Sequence, residues 1–219
     1  MKLSDHYVKI DFHVHTSYSD GDDIKAILHY AKNRGLDGLA ITDHCTLKGY
    51  EKCKKLESEM LIIPGIEIPT EVGHVLVLGV KESFRCMKGR YVEIYDWALE
   101  NNCIIVLAHP AVHFHKAKAV LYSGIKPHCI EVLNSMYPFY RWAVRYSWRL
   151  ASSSGVTPIA GSDAHQASIV GCCYTNVFSE ANLEEVLEAL RRGRVFLEGG
   201  PAPLKYRWKI WLSFLLSIR

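Results

Sequence analysis

The sequence predicts an α/β barrel in a single domain, and three observations carry that reading. Short apolar runs alternate with longer segments of helical pattern, the arrangement that joins parallel strands by helical crossovers. About seven such repeats occur, enough to close a sheet on itself. The apolar runs also stop, one after another, in His, Asp, Glu or Asn: "IDFHVH", "LAITDH", "GIEI", "VLAHP", "IEVLN" and "IAGSDAH".

Strands are expected at 7–12, 38–42, 61–68, 74–80, 103–108, 129–134, 157–162 and 174–178, with helices near 22–34, 47–59, 90–101, 139–153 and 182–192. The last helix places Leu183, Val186, Leu187 and Leu190 on one face behind Asn182, a suitable N-cap. With 219 residues, 49% hydrophobic and 22% charged, the chain can bury a substantial core. No repeat or polar linker divides it. A net charge of +3 does not indicate a nucleic-acid binder, although it leaves nucleic acid open as a partner. Neither a secretory signal nor a membrane span is expected. The seven cysteines contain no C-x-x-C pair and read as free thiols of a cytoplasmic protein.

In a parallel barrel, the C-terminal strand ends share one rim, which is where such folds keep their chemistry. Residues scattered along some 150 positions would therefore converge there. His13 and His15 point the same way because a strand repeats every two residues. The candidate metal ligands are His13, His15, Asp20, His44, Glu67, His74, His109, Asp163 and His165. Mixed imidazole and carboxylate donors suit zinc, manganese or iron better than magnesium or calcium. Nine donors exceed what one ion uses, so about two to three divalent ions are expected. Such ions would bring the pKa of bound water toward neutral, with His13, His15, Glu67, Asp163 and His165 as the candidate catalytic set.

The motifs "DFHVHTSYSDG", "ITDH", "GIEI", "GHVLVLG", "AHP" and "GSDAH", in this order, resemble those of the PHP (polymerase and histidinol phosphatase) family of metal-dependent phosphoesterases. The resemblance covers about residues 7–180. It implies a distorted, TIM-like (β/α)7 barrel with a trinuclear metal centre. By the same resemblance, His13, His15, Glu67 and Asp163 would hold one metal. Glu67, His74 and His109 would hold a second, and Asp20, His44 and His165 a third. It also implies hydrolysis of a small phosphate ester, nucleotide-like or the end of an oligonucleotide. A metal-stabilised regulatory or binding module and a metal-dependent nuclease are the competing readings.

Outside that set, Asn134, Arg141 and His115 are the candidate substrate contacts. Asn134 ends a strand, whereas His113 and His115 form a second H-x-H pair on a loop that is either above the site or simply solvated. Asp43 either orients His44 or caps the next turn, and Glu131 shares a face with neither Asn134 nor Pro127. Arg141, Arg145 and Arg149 fall four apart on one helical stripe, with Trp142, Tyr146 and Trp148 interleaved. That stripe is a solvated basic face or a phosphate-steering one. The barrel is expected over 1–203. Residues 204–219 are expected as a basic, aromatic tail packed on it, extending from it, or resting on a partner.

Overall fold

The computed structural model describes residues 6–57, 59–81, 89–112 and 114–208, without the side chains of 114 and 115. Among the described residues, nine strands form one sheet: β1 (Val8–Val14), β2 (Gly38–Ile41), β3 (Leu61–Thr70), β4 (Gly73–Leu78), β5 (Ile104–Leu107), β6 (Cys129–Asn134), β7 (Thr157–Gly161), β8 (Cys173–Val177) and β9 (Val195–Gly199). Their order is β7-β6-β5-β4-β3-β2-β1-β8-β9. The sheet curls until β7 reaches β1: His15 N–H donates to the Ala164 carbonyl at 3.0 Å and Ala164 N–H to that of His13 at 3.3 Å. The result is a nearly closed, TIM-like barrel.

The expectation of uniformly parallel strands fails at two places. β4 is antiparallel to both β3 and β5, and β8 is antiparallel to β1. Only Glu71 and Val72 separate β3 from β4, far too few for a helical crossover, so the chain must turn back as a hairpin. His74 consequently lies at the start of its strand yet reaches the same rim as the strand-end residues.

The α-helices of the described residues pack around this sheet: α1 (Ile24–Asn33), α2 (Lys48–Leu56), α3 (Tyr91–Glu100), α4 (Phe114–Leu121), α5 (Tyr140–Ser154) and α6 (Leu183–Arg191). Asp23 and Asn182 cap α1 and α6 by accepting the backbone N–H of Lys25 and Glu185. Gly155 ends α5 in the left-handed conformation (φ 70°), which lets its N–H close on the Ala151 carbonyl. α4 and β9 are additions to the sequence expectation.

Side-chain alternation sorts the interior into two layers. Ile63, Leu76, Leu78, Ile104, Val106 and Ile159 point into the barrel, where α6 joins them through Val186, Leu187 and Leu190. Their strand neighbours, such as Ile66, Val77 and Ile105, pack outward against α1 to α5. Arg191 of α6 donates to Asn102 ahead of β5, so α6 covers the end of the barrel opposite the histidine-bearing rim.

Cys53, Cys103, Cys129 and Cys173 are buried free thiols, and Cys172 is a half-buried one. Cys45 is instead disulfide-bonded, which corrects the all-thiol expectation at that position. Among the described residues, no helix is long and apolar enough to cross a membrane. Of the expected tail, only residues up to 208 are described. Arg207 there donates to the carbonyls of Ala202 and Tyr137, which ties the start of the tail to the loop after β6.

Candidate metal centre

Two local irregularities prepare the rim. A register shift between Asp11 and Val14 in β1 breaks strict alternation, so Phe12 joins the inner core while His13 turns into the site. A second shift lies between Glu131 and Leu133 in β6 and brings Glu131 and Asn134 to the same side. His109 and Asp163 both take positive φ, 26° and 56°, a conformation that costs non-glycine residues on the order of 1–3 kcal/mol and clusters at functional sites. Hydrogen bonds hold both in place: Glu131 accepts the His109 N–H at 2.8 Å, and Asn134 donates to Asp163 at 3.1 Å.

All nine candidate ligands converge at this rim around Glu67. Its Oε1 lies 2.8 Å from His74 Nδ1 and 3.0 Å from His109 Nε2. Its Oε2 lies 3.1 Å from His15 Nε2, 3.4 Å from His13 Nε2 and 3.4 Å from His44 Nδ1. Asp163 Oδ1 is 3.5 Å from His13 Nε2 and 3.6 Å from His165 Nδ1. Asp20 approaches His165 Nε2 at 3.1 Å and His44 Nε2 at 3.6 Å. Three donor groups are compact enough for an ion each: His13, His15 and Glu67; Glu67, His74 and His109; and His15, Asp20, His44 and His165.

The donor set fits cations. His13 Nδ1 is 3.0 Å from Glu131 Oε1, so Nδ1 carries a proton and Nε2 faces the Glu67 and Asp163 oxygens. Nε2 is also 3.2 Å from His15 Nε2. Acceptors facing acceptors in a buried pocket repel unless a proton or a cation lies between them. Burial works against a charged His13, yet Asp163, Glu131 and Glu67 hold its pKa well above the ordinary value. Glu67 is equally buried, and His13 with the hydrogen bonds from its imidazole neighbours keeps it well below the usual carboxylate range. His109 Nδ1 is buried without a hydrogen-bond partner among the described residues. His44 is lowered, chiefly by burial. A cation entering here displaces protons, so its binding weakens as pH falls.

Residues beneath the nine complete the site. Glu131, fully buried, accepts from His13, His109 and Asn134. It was missed because alternation alone separates positions 131 and 134; the bulge restores them to one face. Asn134 lines the cavity, but both its amide hydrogens go to Glu131 and Asp163, and its carbonyl accepts Met136 N–H. Asp43 neither bonds His44 nor caps α2. It accepts from Thr16 N–H, Thr16 hydroxyl and Ser19 hydroxyl at 2.6–2.7 Å, pinning the loop behind His15. Asp11 accepts backbone N–H groups of His13, Ser162 and Gly171 and thereby ties β1 to the loops around Asp163; burial pushes its carboxyl up to about 6. At Gly161 a side chain is excluded, since a Cβ would sit 2.5 Å from that of His13 and 2.9 Å from Glu131 Oε1. Arg141 lies outside the cavity, along α5. His113 and the side chain of His115 lie outside the described residues.

Glu131→Gln is expected to weaken cation binding and hydrolysis by about 10–100-fold, the usual cost of losing an imidazole-orienting carboxylate. Metal titration of the variant beside the parent checks this; unchanged affinity would show that Glu131 does not set the His13 ring.

Comparison with known proteins agrees with this fold. The family model described as PHP-associated matches residues 141–195. A solved structure from Bacteroides vulgatus, a two-domain protein containing a predicted PHP-like metal-dependent phosphoesterase, superposes with a TM-score of 0.75 at 22% identity over 89% of this chain and 65% of that one. The chain thus has the fold of a PHP-like phosphoesterase and carries a PHP-associated segment. Two curated relatives by sequence extend the comparison. An uncharacterized protein of Methanocaldococcus jannaschii is 35% identical over 89 residues, 34% of this chain and 52% of its own. The phosphoribosyl 1,2-cyclic phosphate 1,2-diphosphodiesterase of Eggerthella lenta is 37% identical over 81 residues, 33% of this chain and 31% of its own. The matched part is thus about half of the first relative and under a third of the second.

Proposed function

We propose that the protein is a metal-dependent phosphoesterase that hydrolyses a small phosphate ester, with about two to three zinc, manganese or iron ions held by the nine rim residues. The observation that carries this reading is the facing of His13 and His15 Nε2 with the Glu67 and Asp163 oxygens, an arrangement that calls for positive charge between them. Bound divalent cations supply Lewis acidity toward phosphate oxygens and bring the pKa of water toward neutrality.

The chain's own part is positioning. Glu67, shared by two donor groups, brings negative charge to the middle of the site and would relieve repulsion between cations held there. Glu131 and Asn134 fix His13 and Asp163 from below. His44, His74 and His165 are the half-exposed members lining the cavity, so they face an incoming ester. His165 keeps Nδ1 on the Asp163 carbonyl at 3.0 Å, which directs Nε2 toward Asp20 and the opening. No Ser-His-Asp or Cys-His set is required, because phosphoryl transfer rests mainly on positioning and charge neutralisation. The Eggerthella lenta relative, a cyclic-phosphate diphosphodiesterase, supports a phosphodiester among the substrates.

A panel of phosphomonoesters, acyclic and cyclic phosphodiesters and short oligonucleotides tests this. The full chain is expected to hydrolyse at least one class, and Asp163→Ala to abolish that turnover with little change in melting temperature. Bound metal without turnover on the whole panel would leave a binding module instead. Full activity in Asp163→Ala would reject the assignment.

A further inference from the structure

Helix α5 carries a feature that the metal centre does not use. Arg141, Arg145 and Arg149 repeat every four residues, a rise of about 6 Å per step along one face. They line an open groove together with Tyr140, Val144 and Trp148. The sequence has no acidic residue between Glu131 and Asp163. Among the described residues, the ion pairs of Lys and Arg lie elsewhere, at Lys32, Arg191 and Arg192. The neighbouring helix α4, which packs on α5, adds exposed Lys116 and Lys118 and no acid. A row of guanidinium groups left without carboxylates is complementary to a row of negative charges.

The groove also has a direction. Tyr137 and Pro138 line the metal-site cavity and lead within three residues to Tyr140 and Arg141. Because α5 follows β6, it runs from the histidine rim toward the far end of the barrel. Trp148 is 42% exposed between Arg145 and Arg149, offering an aromatic face where a base can stack. Trp142 and Tyr146 stack on each other instead (5.6 Å, 10°).

We propose that the α5 groove binds a segment of single-stranded nucleic acid, its successive phosphates on Arg141, Arg145 and Arg149 and a base on Trp148. The chain's own tail fits less well. Residues 204–219 carry Lys205, Arg207, Lys209 and Arg219 and no acid, the wrong sign for this stripe. An anionic lipid surface has the matching sign and is separated by the test below. Binding in the groove does not depend on the hydrolytic reading, since the arginines lie outside the metal-site cavity.

The test is fluorescence anisotropy of a labelled dT12 oligonucleotide with the full chain as purified, read before and after addition of EDTA. The expected result is binding in both conditions, with a salt slope near −2, about 0.7 for each of three phosphates. Arg145→Ala combined with Arg149→Ala should weaken binding at least about 10-fold and flatten the slope by about 1.4, with an unchanged melting temperature as the fold control. The corresponding double lysine variant should retain most of the salt slope, because the charges remain. Unchanged dT12 affinity in the double alanine variant would overturn the proposal. So would binding that vanishes with EDTA, which would place the oligonucleotide at the metal centre. Binding to phosphatidylserine vesicles without binding to dT12 would overturn it in favour of a lipid surface.

Discussion

Glu67→Gln is expected to lower hydrolysis by about 10³-fold or more and to empty at least part of the metal centre. The estimate starts from the 10–100-fold cost of losing an outer partner of a metal ligand. Glu67 is more central than that, because its two oxygens lie within 2.8–3.4 Å of His74, His109, His15, His13 and His44. Glutamine keeps the shape but removes the negative charge, and its amide nitrogen is a donor where an acceptor is needed. The change therefore acts on charge rather than on packing, and the barrel should stay folded. Initial rates on the best ester of the panel, measured with the metal content of the same sample, decide it. A rate within a few-fold of the parent would show that Glu67 is not shared between cations.

Phe12→Ala should have the largest effect on stability, about 3–5 kcal/mol. Phe12 is fully buried in the inner layer with Ile10, Leu76 and Leu78, and the bulge beside it fixes the backbone on which His13 sits. An alanine there loses the transfer energy of the ring and leaves a cavity that the closed sheet cannot easily collapse. That is a large share of the 5–15 kcal/mol typical of a whole domain, and in a chain of this size it corresponds to a melting-temperature drop of roughly 6–20 °C. Phe196→Ala, on the exposed strand β9, is the control and should cost well under half as much. Thermal melts at matched metal content compare the two. Equal effects would mean that the barrel interior is not packed around Phe12.

Much of this architecture was legible in the sequence because apolar runs and their polar ends are local signals. The helices at α1, α2, α3, α5 and α6 fall within a few residues of their expected bounds, and the polar strand ends share one rim. The rest depended on signals that single strands do not carry. The apolar pattern of β4 does not record strand direction, and only the observed two-residue gap after β3 shows that it must be a hairpin. β9 lies at the sheet edge with half-exposed and exposed residues, so it shows no buried alternation. α4 is only eight residues long and follows Pro110, which marked the region as loop. Glu131 falls off the Asn134 face under period-two alternation, which assumes an unbroken strand, and a single bulge in β6 reverses that conclusion. Asp43 looked like a partner of its neighbour His44, yet its partners Thr16 and Ser19 come from another loop, a pairing that only the folded chain reveals.

The account stands or falls on positive charge among the rim residues. Elemental analysis of the full chain, purified without chelator, tests this most directly when hydrolysis is assayed on the same sample. The account predicts about two to three zinc, manganese or iron ions per chain, activity lost on their removal and restored on their return. Hydrolysis that persists in protein stripped of all bound transition metal would contradict it.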